Sequence, residues 1–222
     1  MNTDRQGKVN SRPSPAPNRL DRRKARTRAA LIAAAQGFLA EHGRTDVSIQ
    51  EITEAADVGF GSFYNHFTSK DELFDAAVAL TLEEHGVLLE SVVGDLSDPA
   101  EIFAASVRLT GRLQRTHTQI ARILVRTGMP YLTSDSGLAP RAMRDLQAAA
   151  DDGRLDIDDP PTAVAMVGGA LLGVLHLLET RPDLDAEHVS DQLATRLLRM
   201  FGMTRAEAQE IVSRPLPALP AA

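Results

Sequence analysis

The sequence predicts an all-α fold, and three observations predict it. Ser48-Ile-Gln-Glu51, Ser69-Lys-Asp-Glu72 and Thr204-Arg-Ala-Glu207 each set a hydroxyl three residues before a carboxylate. That is the capping box, which satisfies two orphan backbone donors at a helix start. Asp98-Pro99 and Asp159-Pro160 place an N-cap carboxylate before a proline whose missing N–H costs nothing there. Apolar residues between these signals recur at helical spacing, and no segment shows a convincing strand alternation. The expected architecture is an N-terminal three-helix domain followed by a larger helical domain, about ten helices in all.

Residues 1–18 are rich in Pro, Ser, Asn and Arg without periodicity, and are expected to be a disordered basic tail. They hold no apolar stretch of the kind a secretory signal needs, so none is expected. A first helix is expected over 20–42, with Leu31, Ala35, Phe38 and Leu39 on one face and Gly43 as its C′ residue. Ser48 opens a second helix, with Ile49, Ile52 and Ala56 on a stripe, and a very short third covers 59–67. Ser69 begins a long helix reaching about Val93. Helices follow Asp98 and cover segments near 118–132, 137–152, 160–180 and 185–201, with a last one after Thr204. Pro130, Pro140, Gly153, Pro182 and Gly202 are expected between helices. The boundaries drawn are 19–68 for the first domain, 69–214 for the second and 215–222 for a fraying tail.

The 222 residues carry 24 Lys+Arg and 30 Asp+Glu, a net charge of −6. The two signs are not mixed evenly. Residues 1–30 hold nine basic and two acidic side chains, while 71–222 hold 13 basic and 23 acidic. One end therefore suits a polyanion that the remainder repels, which makes nucleic acid the first partner to consider. The absence of cysteine excludes disulfides, thiolate metal sites and a cysteine nucleophile. The longest apolar run, 163–178, has 16 residues, short of the ~18–20 that span a bilayer, so no membrane partner is expected and a cytoplasmic location is. His176-x-x-Glu179 lacks a matching second pair, and the aspartates at 151–159 lack calcium-loop spacing. Gly59-Phe-Gly-Ser62 resembles half a nucleophile elbow but does not follow a strand. No metal, cofactor or catalysis is expected.

Two short helices joined by Ala55-Ala56-Asp57-Val58 have helix-turn-helix spacing, and Asp57 is among the few non-glycines that accept a left-handed backbone cheaply. In the following segment Val58, Phe63 and Phe67 are expected inward, with Phe60, Ser62, Tyr64 and Asn65 outward. The run Val58-Gly-Phe-Gly-Ser-Phe-Tyr-Asn-His-Phe-Thr-Ser-Lys-Asp-Glu-Leu73 resembles the signature of the TetR family of bacterial one-component repressors. The likeness covers 22–75. The resemblance implies that Lys70, Tyr64 and His66 contact phosphates, Tyr64 and His66 being otherwise structural groups at the domain junction, and that Gly59, Phe60 and Ser62 lie near base edges or backbone; the outward-facing Asn65 is a further candidate DNA contact. The resemblance also places Ser48 and Gln50 at the phosphate-holding start of the bracing helix. Gly59 stands where many members have Ser or Thr, and Phe60 where many have a polar residue. Phe60 either meets a thymine methyl or packs beneath the first helix. Arg22, Arg23 and Arg26 fall beside the motif, placed to neutralise backbone phosphates of double-stranded DNA or to reach its minor groove.

The same resemblance implies a homodimer on a palindromic operator, released by a small-molecule effector. Gly169, Gly173 and Leu177, with Leu193, Leu197 and Phe201 on the next helix, are the expected dimer contacts, against a plain core role. Phe103, Val107, His117, Met129, Tyr131 and Met143 are candidate pocket residues, against plain packing. Arg112, Arg115, Arg122 and Arg126 recur at helical spacing as a solvated face or a contact for an acidic ligand. A factor controlled by a protein partner and a helical enzyme or carrier are the two alternatives, the first calling for a fully packed core.

Overall fold

The computed structural model describes residues 18–43, 45–128 and 138–218, and among them every regular element is helical. The order is α1 (Arg19–His42), α2 (Ile49–Ala55), the 3₁₀ helix η1 (Phe60–Asn65) and α3 (Lys70–Val93). Then follow α4 (Pro99–Gly111), α5 (Leu113–Thr116), α6 (Thr118–Thr127) and α7 (Leu138–Asp151). The last are α8 (Pro160–Thr180), α9 (Ala186–Met200) and α10 (Arg205–Ser213). Pro130 and the expected extension of α6 to 132 lie outside the described residues.

Capping explains most boundaries. Asn18 and Asp21 form a capping box that starts α1, and Gly43 at φ 64° ends it by donating to the Leu39 and Phe38 carbonyls. Ser48–Glu51 and Thr204–Glu207 form the expected boxes. At α3 the box is displaced by one residue. Ser69 Oγ accepts from the Glu72 N–H, but the Glu72 carboxylate turns back to Thr68, accepting its N–H and its hydroxyl at 2.6 Å each. Pro140 lies inside the first turn of α7 rather than between helices, where its missing N–H leaves no bond unmade. The third helix is a 3₁₀ segment because Gly59, Phe60 and Gly61 give a six-residue stretch too little propensity for α geometry.

Two cores form. In the first, Leu31, Ile32, Ala35 and Leu39 of α1 enclose Ile52, Phe63, Phe67, Leu73 and Phe74, and Ile123 of α6 completes it from the second half of the chain. In the second, α4 and α7–α10 surround Phe103, Val107, Leu146, Leu171, Leu198 and Phe201. The arginine series is engaged in ion pairs and carbonyl contacts, with Arg115 exposed and the Arg122 side chain 44 % exposed. Arg108 and Arg112 both bond Asp191, Arg115 donates to the Leu178 carbonyl, and Arg122 and Arg126 pair with Glu179.

Helix α8 has 21 residues and is long and apolar enough to cross a membrane by length and composition, although its apolar run alone is shorter than a span. One face packs into the core and the opposite face is exposed. Ala163, Val167, Leu171, Leu175 and Leu178 point inward.

The turn between α2 and η1 depends on Asp57, whose φ of 52° is the left-handed conformation expected of it. Its side chain is exposed, so substitution probes the backbone alone. Asp57→Val is expected to lower stability by about 1–2 kcal/mol and Asp57→Gly to leave it nearly unchanged. Urea unfolding of the three proteins checks this, and equal stability of the valine variant would remove the constraint.

Candidate nucleic-acid interface and internal cavity

The first candidate surface is built on η1. Phe63 is 0 % exposed and Phe67 2 %, which fixes the segment against α1 and α2. The intervening positions are thrown outward: Phe60 is 55 % and Tyr64 58 % exposed. Tyr64 stacks edge-on against both Phe60 and Phe63, with centroids 6.2 and 5.3 Å apart. Phe60 therefore does not pack beneath α1. Gly59, Gly61 and Asn65 are exposed, Ser62 and His66 half-buried, and a Cβ at Gly61 would meet nothing. Backbone and aromatic edges thus stand clear on one ridge.

The remaining predicted residues sit around that ridge with their polar groups partly engaged. Lys70 Nζ donates to the Val47 carbonyl at 2.7 Å and lies 3.5 Å from that of Thr45, tying α3 to the segment before α2. Ser48 Oγ serves the capping box, and Gln50 donates to Glu54 at 2.9 Å. Arg22, Arg23 and Arg26 are exposed and, with Arg19 and Leu20, outline an open basic cleft on α1. Arg28, next along, lies over the Phe67 ring at 5.1 Å.

The second candidate site is a cavity between α3, α4, α7 and α8, with about 50 Å³ of water-accessible space. Leu89, Val93, Phe103, Val107, Val167 and Leu171 form its apolar walls. Glu90, Arg141 and Asp145 supply a charged wall, and Ser106 and Thr110 a neutral one. Gly86 makes room for Arg141, since a Cβ there would stand 2.5 Å from Nη1. Arg141 pairs with Glu83 at 2.7 Å and with Glu90 at 3.2 Å, and Arg144 reaches Glu90 at 3.2 Å. Burial works to raise the Glu90 carboxyl, but the two guanidiniums outweigh it and hold it below the ordinary range. Burial raises the Asp145 carboxyl, against the pull of Arg144.

Of the expected pocket residues, Phe103 and Val107 line this cavity. Met143 packs against the second core outside the lining, and His117 sits at the α5–α6 joint. Met129 and Tyr131 lie outside the described residues. Sequence reasoning misses Glu90, Arg141 and Asp145 because charged residues on a helix ordinarily mean a solvated face. Their signal is the i, i+4 spacing of Arg141 and Asp145 on one face of α7. Gly169, Gly173 and Leu177 are exposed on α8, whereas Leu197 and Phe201 are buried within the protomer and Leu193 is half-buried against the same core. Among the described residues no group of three or more His, Asp and Glu is placed to hold a metal.

Residues 31–77 match the family described as bacterial regulatory proteins, tetR family, and residues 98–214 match a tetracyclin repressor-like C-terminal domain. The chain is 33 % identical over 90 residues to the HTH-type transcriptional repressor AcnR of Corynebacterium efficiens, and spans 47 % of that protein's length. It is 36 % identical to RolR in complex with resorcinol, covering 90 % of this chain and 99 % of that one at a TM-score of 0.71. Against RolR without ligand the identity is 35 %, with 86 % and 100 % covered and a TM-score of 0.69.

Beside the cavity lies a buried imidazole. His85 is fully buried, and desolvation, reinforced by His117, pushes its pKa down to about 3. The unfolded chain therefore takes up a proton below about pH 6.5 that the folded protein refuses, so stability falls as pH drops from there toward 3. Between pH 7 and 5 this group is expected to cost about 2 kcal/mol of stability, a loss that His85→Gln does not show. Denaturant unfolding of both proteins at the two pH values decides it, and an equal loss in both would count against a neutral buried imidazole.

Proposed function

Because the chain belongs to the TetR family of bacterial regulators, we propose that it is a cytoplasmic, homodimeric repressor that leaves its DNA when a small hydroxylated aromatic molecule fills the cavity. The observation that carries this reading is that one helix serves both sites. Helix α3 begins beside η1, where Lys70 grips the Val47 carbonyl, and ends in the cavity wall at Gly86, Leu89, Glu90 and Val93. A ligand that prefers one placement of α3 thereby prefers one placement of the DNA-reading segment, which is a shift between two populations.

On the DNA, η1 enters the major groove with Gly59, Phe60 and Ser62 toward base edges and Asn65 beside them. The exposed Phe60 ring suits a thymine methyl. Tyr64, His66 and the remaining donor of Lys70 meet phosphates, with Ser48 and Gln50 at the margin, and Arg22, Arg23 and Arg26 follow the backbone. The dimer forms across the exposed face of α8, where Ala165, Met166, Gly169, Gly173 and Leu177 leave a flat apolar strip. Leu193, Leu197 and Phe201 support that strip from behind. Two heads related by a two-fold axis call for a palindromic operator.

The effector class follows from the lining: apolar walls, and polar groups that accept or share hydroxyl protons. Resorcinol, the ligand in the RolR complex, has that chemistry. The cavity also favours this reading over a regulator controlled by a protein partner, which would need no internal space.

Fluorescence anisotropy with DNA from immediately upstream of the gene, against scrambled competitor at two salt concentrations, tests the proposal. Binding is expected to survive competitor and to be released by added resorcinol. Binding that collapses equally for both DNAs with salt would leave only backbone electrostatics. Replacing Arg22, Arg23 and Arg26 together by Gln is expected to flatten the slope of log K against log salt by roughly 0.9 for each phosphate no longer neutralised. An unchanged slope would take α1 out of the interface.

A further inference from the structure

The two polar walls of the cavity differ in kind. That on α3 and α7 is charged, with Glu90, Arg141 and Asp145. That on α4 is neutral: Ser106 and Thr110 stand one turn apart on the same helix face and both line the cavity.

Thr110 is backed by an incompletely satisfied polar cluster. The residue is 1 % exposed, and its Oγ1 lies 3.3 Å from Nε2 of His85, which is 0 % exposed. Whichever ring nitrogen carries the proton, Nδ1 of His85 has no hydrogen-bond partner among the described residues. Gln114 Nε2, a turn beyond Thr110, and His117 Nδ1 are buried in the same condition. Native interiors seldom leave such atoms unbonded, and the Thr110–His85 pair is the part of this cluster that reaches the cavity lining. A hydroxyl that gives its proton to Nε2 keeps lone pairs for an incoming O–H, and His85 stays uncharged at neutral pH.

The geometry points to Thr110, held by His85, as the residue that reads a second hydroxyl on the effector, so that the ligand class narrows from phenols to aromatic diols. The inference rests on the reading that the cavity takes a hydroxylated aromatic ring. One hydroxyl meets the carboxylates of the charged wall and the other meets Thr110. A ring with a single hydroxyl satisfies one wall and leaves the other facing carbon. His85 acts through Thr110 and is a positioning residue.

Calorimetric titration of the full chain with resorcinol and with phenol tests this, since the two differ by one hydroxyl. The wild type is expected to bind resorcinol at least about tenfold tighter. Thr110→Val, which replaces the hydroxyl by a methyl, is expected to bring resorcinol down to the level of phenol and leave phenol within about twofold. Thr110→Ser is expected to keep the preference. Thr110→Ala removes the hydroxyl without a branched methyl against His85 and gives the same reading should the valine variant fold poorly. Equal binding of both rings by the wild type, or a preference that survives in the valine and alanine variants, would overturn the assignment while leaving the cavity as an aromatic site. Binding of neither ring would overturn the effector class and this assignment with it.

Discussion

The arrangement depends on α3 being a single continuous helix. Its first turns supply Leu73, Phe74 and Ala77 to the core beneath η1, and its last turns supply Leu89 and Val93 to the cavity wall. Ser69 and Gly94 bound it, and its only internal glycine is Gly86, where Arg141 crosses it. A 24-residue helix is about 36 Å long at 1.5 Å per residue, and no proline interrupts it. Displacement at one end is therefore carried to the other instead of being absorbed at a hinge.

A second connection keeps the two halves from moving independently. Ile123 of α6 is 1 % exposed inside the first core, so the larger domain contributes a side chain to the smaller one's interior. Arg126, one turn on, lies across Gly43, where a Cβ would stand 3.2 Å from its Cδ, and pairs with Glu179 of α8 at 3.1 Å. The left-handed end of α1, helix α6 and helix α8 therefore meet at one guanidinium. By linkage, an effector that favours a placement of this junction unfit for DNA weakens DNA binding by the same factor that DNA weakens its own.

Much of this was legible in the sequence because it is local. A capping box, a glycine at C′ and an aspartate at positive φ are decided within four residues, and Ser48–Glu51, Gly43 and Asp57 adopt their expected roles. The displaced bond of Glu72 was not legible, because Ser69 and Thr68 offer it equivalent partners and tertiary placement decides between them. The cavity was only half legible. Phe103 and Val107 follow from periodicity, but the charged wall needs α3 and α7 to meet, and segments about 50 residues apart carry no sign of that. The same holds for Leu197 and Phe201: apolar spacing marks a buried face without saying whether the cover is the protomer's own core or a second copy.

The charge of the cavity also argues for the kind of molecule it accepts. Of its three ionisable groups two are acids, Glu90 and Asp145, and the one base, Arg141, is already committed to Glu83 and Glu90. A carboxylate ligand would meet two like charges and a guanidinium with little left to give, and low local polarity would magnify the repulsion. A neutral hydroxyl meets no such penalty. It can donate to the raised carboxyl of Asp145, whose partial desolvation makes it the wall's readiest group to share a proton. The ion pairs that look like ligand-binding charge are thus chiefly scaffolding. They fix Arg141 over Gly86 and close the wall.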